Sequence, residues 1–221
     1  SLEEKVKKSA FINNNDEDEL VFEYKMIQAK LDGFLNNAND IIKKGKDNSD
    51  QSKYALAVAL YRQALLNDSL SVLDELILKY PRNAWYYELK GQILYESGKI
   101  EDSIEPYTKA LRLKEKEPLL MVGLATALNA RANKGDAKKA INLLKESLKY
   151  DKKNSQTWYQ LAISYSDLNN IGMAELSSAE RHFLTGNTKM ASFHAKKSLK
   201  YFNNSDISKL RAQDILIDAE N

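Results

Sequence analysis

The chain has 221 residues, with 33 Lys and Arg against 31 Asp and Glu and a net charge of only +2. So even a balance gives no argument for nucleic acid or an anionic membrane as a partner. The absence of Cys excludes disulfides and thiolate metal sites and fits a cytosolic or a periplasmic setting, while no apolar run approaches the length of about 18 residues that spans a bilayer.

In chain order, residues 1–18 read as a linker closed by the acidic NNNDEDE, without regular structure. The opening SLEEKVKK lacks both Met and a signal-peptide pattern, so the chain is expected to be a piece of a longer protein. ELVFEYKMIQAKLDGFL (19–35) has the apolar spacing of an amphipathic helix. NNANDIIKKGKDNSDQ (36–51) reads as a loop with one short helical turn, which makes 19–52 an N-terminal helix and loop. From residue 53 the pattern is helix after helix. SKYALAVALYRQALL and SLSVLDELILKY form a pair over 53–83, joined at the NDS of 67–69.

The next segment, WYYELKGQILYESGKIEDSIEPYTKAL (85–111), sets Gly91 inside one helix and Pro106 inside the next, where each is costly. A small residue recurs at equivalent places: Ala125 lies 34 residues after Gly91, and Ala162 lies 37 further on. Second halves match as well, in SIEPYTKAL (103–111), AINLLKESL (140–148) and ASFHAKKSL (191–199). Three extra residues in NARANKGDAKK (129–139) are expected to lengthen that turn. Gly91 is expected at a close helix crossing, Gly98 and Gly186 in turns, Pro106 at a bend, and Asp206 as the N-cap of a closing helix.

A helix–turn–helix unit of about 34 residues is the tetratricopeptide repeat. WYQLAISY (158–165) resembles that family's first-helix signature at Trp158, Leu161, Ala162 and Tyr165. The expected fold is all-α, a right-handed solenoid of antiparallel helix pairs over 53–221: pairs at 53–83, 84–117 and 118–154, a partial one at 155–172, another at 173–204 and the closing helix at 205–220.

A narrower resemblance rests on ELKGQILYESGKIEDSIEPYTKAL (88–111), LLMVGLATAL (119–128), NNIGMAELSSAERHFLTGN (169–187) and LRAQDIL (210–216). These segments resemble the C-terminal repeats of bacterial periplasmic zinc metalloproteases of the β-barrel assembly-enhancing family. YKMIQAKLDGFL (24–35) is similar to the segment that joins protease to repeats. That family's H-E-x-x-H holds zinc with two His one helical turn apart. His182 and His194 match neither position, so no catalytic residue carries over and the chain is expected not to be an enzyme. The resemblance implies zinc only in a domain upstream, no cofactor in this chain, a periplasmic location and partners among outer-membrane proteins or their assembly machinery. The alternative is a freestanding cytoplasmic scaffold.

The expected binding surface is the groove lined by the first helix of each pair. Motif register points inward Trp85, Glu88, Gln92 and Tyr95 with Glu96; then Val122, Thr126 and Asn129 with Leu119; then Gln156, Tyr159 and Ile163 with Ser166. Met173, Leu176 and Phe183 would continue the row. The bland reading is that these aromatics pack between neighbouring pairs. Acidic, amide and apolar groups at these positions disfavour a clamp for a terminal carboxylate and suit apolar side chains of an extended protein segment. Short basic runs at 43–46 and 137–139 lie among acids and read as solvated surface, whereas Lys189, Lys196, Lys197 and Lys200 read as a basic edge.

Overall fold

The structure, a computed structural model, describes residues 14–44, 49–204 and 206–220. Its regular elements are all helical: α1 (Asn14–Leu35), α2 (Ala38–Lys44), α3 (Asp50–Arg62), α4 (Leu66–Lys79), α5 (Ala84–Glu96), α6 (Ile100–Leu113), α7 (Pro118–Arg131), α8 (Asp136–Tyr150), α9 (Ser155–Asp167), α10 (Ile171–Leu184), α11 (Thr188–Ser198) and α12 (Ile207–Glu220). A 3-10 turn, Leu199–Tyr201, extends α11. The chain is all-α, as its periodicity predicts, and it forms two compact units, Ser1–Tyr86 and Tyr87–Asn221.

In the N-terminal unit α1 lies on α3. Gly33 makes the crossing close, since a Cβ there would stand 2.5 Å from the Val58 Cβ. Met26, Ala29, Tyr54, Val58, Leu73 and Leu76 are buried in the core, with Tyr86 from the start of α5. The Tyr54 and Tyr86 rings meet edge-on at 5.1 Å, and the Tyr86 hydroxyl points at the Met26 sulfur, 3.1 Å away. At the end of α1, Arg62 donates to the Gly33 and Asn36 carbonyls (2.9 and 2.7 Å), placing a cation where the helix dipole favours one.

Two expectations are corrected here. The first helix begins at Asn14, not at 19, and residues 1–13 lie outside the described residues. The acidic run has no apolar periodicity, so the pattern gives no sign of its helicity. The turn of the next pair is not NDS (67–69) but residues 63–65, where Ala64 takes φ +58°. Ser69 instead sits buried in the first turn of α4 and donates to the Ala57 carbonyl of α3 at 2.6 Å. The polar side chain that suggests a turn is a contact between helices.

The C-terminal unit is a row of helices, each packed on the next from α6 to α12, with further packing of α7 on α9 and of α10 on α12. Gly91 marks a close crossing, as expected. A Cβ there would fall 2.8 Å from Cγ and Cδ2 of Tyr107 on α6. Gly123 on α7 approaches the same ring, with a Cβ position 2.7 Å from Cε1. α6 runs on through the buried Pro106, whose missing N–H leaves the Asp102 carbonyl without its usual partner. Gly98 and Gly186 turn at φ +77° and +74°.

The turn after α7 lengthens by one residue rather than by the three expected. Compared with α5 and α6 (13 and 14 residues), α7 and α8 have 14 and 15, and the turn grows from three residues to four. Each element therefore takes one of the three extra residues. Arg131 locks this arrangement by donating from Nε and Nη2 to the buried Asp136 carboxylate, both at 2.8 Å. α10 packs on both α9 and α11, so α9 has a full partner helix. Asp206 stands just before α12, its carboxylate accepting the Asn203 amide at 2.8 Å.

Candidate partner-binding face

The residues expected to line a groove divide into three groups. Trp85 opens α5 in the N-terminal unit, half-buried, and its carbonyl accepts the Tyr54 hydroxyl at 3.3 Å. Glu88, Val122 and Asn129 are interior, at 7, 7 and 8% exposure. Their expected place on an open surface is corrected. α7 is packed by α6, α8 and α9, so a position that faces inward by register is covered by the next helix. Leu176 is likewise buried on α10.

Asn129 shows what covers it. Its amide donates to the main-chain carbonyl and the side-chain oxygen of Gln160 on α9, at 3.1 and 2.9 Å. The Ser164 hydroxyl donates to its Oδ1 at 2.7 Å. All three side chains are buried, so the bonds join two adjacent pairs rather than await a ligand.

The remaining positions are accessible. Gln156, Tyr159, Ile163 and Ser166 lie at helical spacing along one side of α9, exposed or half-buried. Tyr159 is 39% exposed, and the Arg181 guanidinium of α10 sits 4.5 Å over its ring. On α7, Thr126 is half-buried and Leu119 exposed. On α5, Tyr95 is half-buried against the core around Tyr107, and Gln92 donates to Glu96 at 2.9 Å. Met173 and Phe183 of α10 pack in part against the terminal core.

The accessible stripe on α9 thus presents an aromatic face, an aliphatic side chain and amide groups, with a cation beside the aromatic. Such a surface can hold apolar and hydrogen-bonding groups of another chain. Arg181 was not legible from the sequence: it lies on the following helix, and no local motif ties it to Tyr159.

Two groups on α10, His182 and Glu175, have shifted titrations where that helix faces α11. The His182 and His194 rings stack, with centroids 5.3 Å apart and planes within 6°. Burial, with the positive charge of His194 and Arg181, holds the His182 imidazole below its ordinary value. Burial would raise the Glu175 carboxyl, but hydrogen bonds from His194 (2.6 Å) and Lys197 (2.9 Å) outweigh it and hold it low. Among the described residues no group of three His, Asp or Glu is placed to hold a metal ion, and no helix is long and apolar enough to cross a membrane.

Successive short helix pairs, with accessible aromatic and amide groups on the first helix of a pair, define a helical-repeat interaction module. The chain carries a tetratricopeptide repeat: residues 86–117 match that repeat family, and the helix pairs have the same architecture. It is 33% identical over 102 residues to a TPR repeat-containing protein of Methanocaldococcus jannaschii, a match covering 46% of this chain and 17% of that one. It is 27% identical over 140 residues to the β-barrel assembly-enhancing protease of Escherichia coli, covering 63% of this chain and 28% of the protease. The chain therefore spans well under a third of either relative. Among solved structures, a MamA RS-1 double mutant superposes with a TM-score of 0.56 at 13% identity, covering 84% of this chain and 95% of that one. A chain of the APC/C hetero-tetramer Cut9–Hcn1 gives 0.57 at 17% identity, covering 89% of this chain and 43% of that one. Both share the fold.

Proposed function

We propose that this protein–protein interaction module is the non-catalytic, partner-recognising tail of a periplasmic zinc metalloprotease that acts in outer-membrane protein quality control. The observation that carries this reading is the likeness over 140 residues to a β-barrel assembly-enhancing protease. The tail contributes proximity. A partner held on the repeats raises the local concentration of substrate at a linked catalytic domain without supplying chemistry of its own. Gln156, Tyr159 and Ile163 on α9, with Thr126 and Tyr95, are the contact residues, and an extended apolar segment of an outer-membrane protein or of its assembly machinery is the ligand. Zinc belongs to the upstream domain, and this chain requires no cofactor.

The coding sequence upstream of Ser1 provides the test. An in-frame H-E-x-x-H preceded by an export signal is the expected result. A reading frame that starts near Ser1 with neither feature overturns the proposal in favour of a freestanding cytoplasmic scaffold.

A further inference from the structure

Charge is even over the whole chain but not along it. Between Glu180 and Asp206 there is no Asp or Glu, while Arg181, Lys189, Lys196, Lys197 and Lys200 all fall there. Four of these cations lie on α11 and its 3-10 extension. At about 100° per residue, Lys189, Phe193, Lys196 and Lys200 share one stripe, with Met190, Lys197 and Tyr201 beside it. The opposite side carries Ala191, Ala195 and Ser198, all fully buried.

The outward side is open, with Phe193 50% and Tyr201 58% exposed. Lys197 has a carboxylate beside it, Glu175, which also binds His194. Its ammonium lies 5.1 Å over the Phe193 ring. A solvated helix face mixes charges of both signs and keeps aromatics out of water. This face carries one sign of charge on its own helix and sets two aromatics and a methionine among the cations.

We propose that the outward face of α11 docks on the surface of an anionic lipid bilayer. Phe193, Met190 and Tyr201 enter the boundary between headgroups and acyl chains, and the lysines meet the lipid phosphates. The interleaving selects a bilayer over an acidic polypeptide. A bilayer offers an anionic plane directly above an apolar interior and so satisfies both residue types at once. An acidic segment would pair with the lysines and leave the aromatics in water. This inference does not depend on the protease-tail reading.

The test is co-sedimentation of the chain with vesicles of phosphatidylglycerol and phosphatidylcholine in equal parts, and with phosphatidylcholine alone. Binding to the first and not the second is expected. Lys189→Gln with Lys200→Gln should lower partitioning about twenty-five-fold, at about fivefold per lysine near an anionic surface. Phe193→Ser, which leaves the charge unchanged, should lower it about tenfold. Thermal unfolding followed by circular dichroism should show the wild-type midpoint for both variants; if one is destabilised, Lys189→Glu and Tyr201→Ser replace it. No binding to the anionic vesicles overturns the proposal, as does binding that is indifferent to Phe193→Ser. Binding to soluble polyglutamate in place of vesicles, lost with the lysines, would make the face a site for acidic polypeptide and would overturn it too.

Discussion

The Tyr107 ring stands where a side chain on Gly91 would have to go, its Cγ and Cδ2 only 2.8 Å from the Cβ position. The obstructing atoms are the root of the ring, which cannot swing aside without moving α6. Gly91→Ala should therefore destabilise by about 1–3 kcal/mol through overpacking, set against about 1 kcal/mol gained in helix propensity. In a Tyr107→Ala background the obstruction is gone, and the same change should become stabilising by about 1 kcal/mol. Urea unfolding of the four proteins measures this. Equal effects in both backgrounds would show that the ring does not account for the glycine.

Asn129→Ala removes two donated bonds and one accepted bond from a buried site. It should cost about 1–3 kcal/mol, because the Gln160 side-chain oxygen loses its Asn129 donor in a dry place and the Ser164 hydroxyl keeps only the Gln160 carbonyl. Ser164→Ala should cost less, since its hydroxyl is the smaller part of the network. The two losses should be non-additive, which a double-mutant cycle in denaturant reads directly.

The accessible and the buried residues of the expected groove should separate in experiment. Tyr159→Ala should reduce capture of an extended apolar peptide several-fold with little change in thermal midpoint. Val122→Ala should instead lower stability by about 2 kcal/mol through loss of buried volume. A Tyr159→Ala variant that binds as well as wild type would remove α9 from the binding surface.

Below neutral pH the C-terminal unit should weaken. The His182 imidazole has a folded value below its ordinary 6.5, so the unfolded chain takes up a proton first as pH falls. The stability contributed by neutral His182 is complete above about 6.5 and is lost as pH drops from there towards the folded value. His182→Phe keeps a ring against His194 and should flatten the fall in unfolding free energy between about pH 7.5 and about 5.5. Glu175 acts in a separate, more acidic window. Its carboxyl lies below 4.5, so its contribution is present above that value and disappears as pH falls further.

What the sequence discloses, and what it hides, follows from which signals are local. Gly91 and the WYQLAISY signature were legible because a small residue at a fixed helical position recurs every repeat. Gly123 was not, because Ala125 already fills the motif position two residues on. Register told which side of α7 Val122 and Asn129 face, but not that α9 lies on that side. The Ser69 hydroxyl looked like part of a turn because a polar side chain reads the same whether it faces water or a carbonyl of the neighbouring helix. Long-range pairs such as Arg181 with Tyr159 leave no trace in a spacing pattern.

Asn129 belongs by sequence to one helix pair and by hydrogen bonding to the next. Apolar side chains tolerate a small rotation of one helix on another; three directional bonds do not. The Asn129 amide therefore ties α9 to α7 by directional bonds, beside the apolar core that both helices share. Cutting the chain ahead of Ser155 would uncover that amide and strip it of both partners. The segment ending at α8 is thus a poor place to stop, because the helix that follows anchors it.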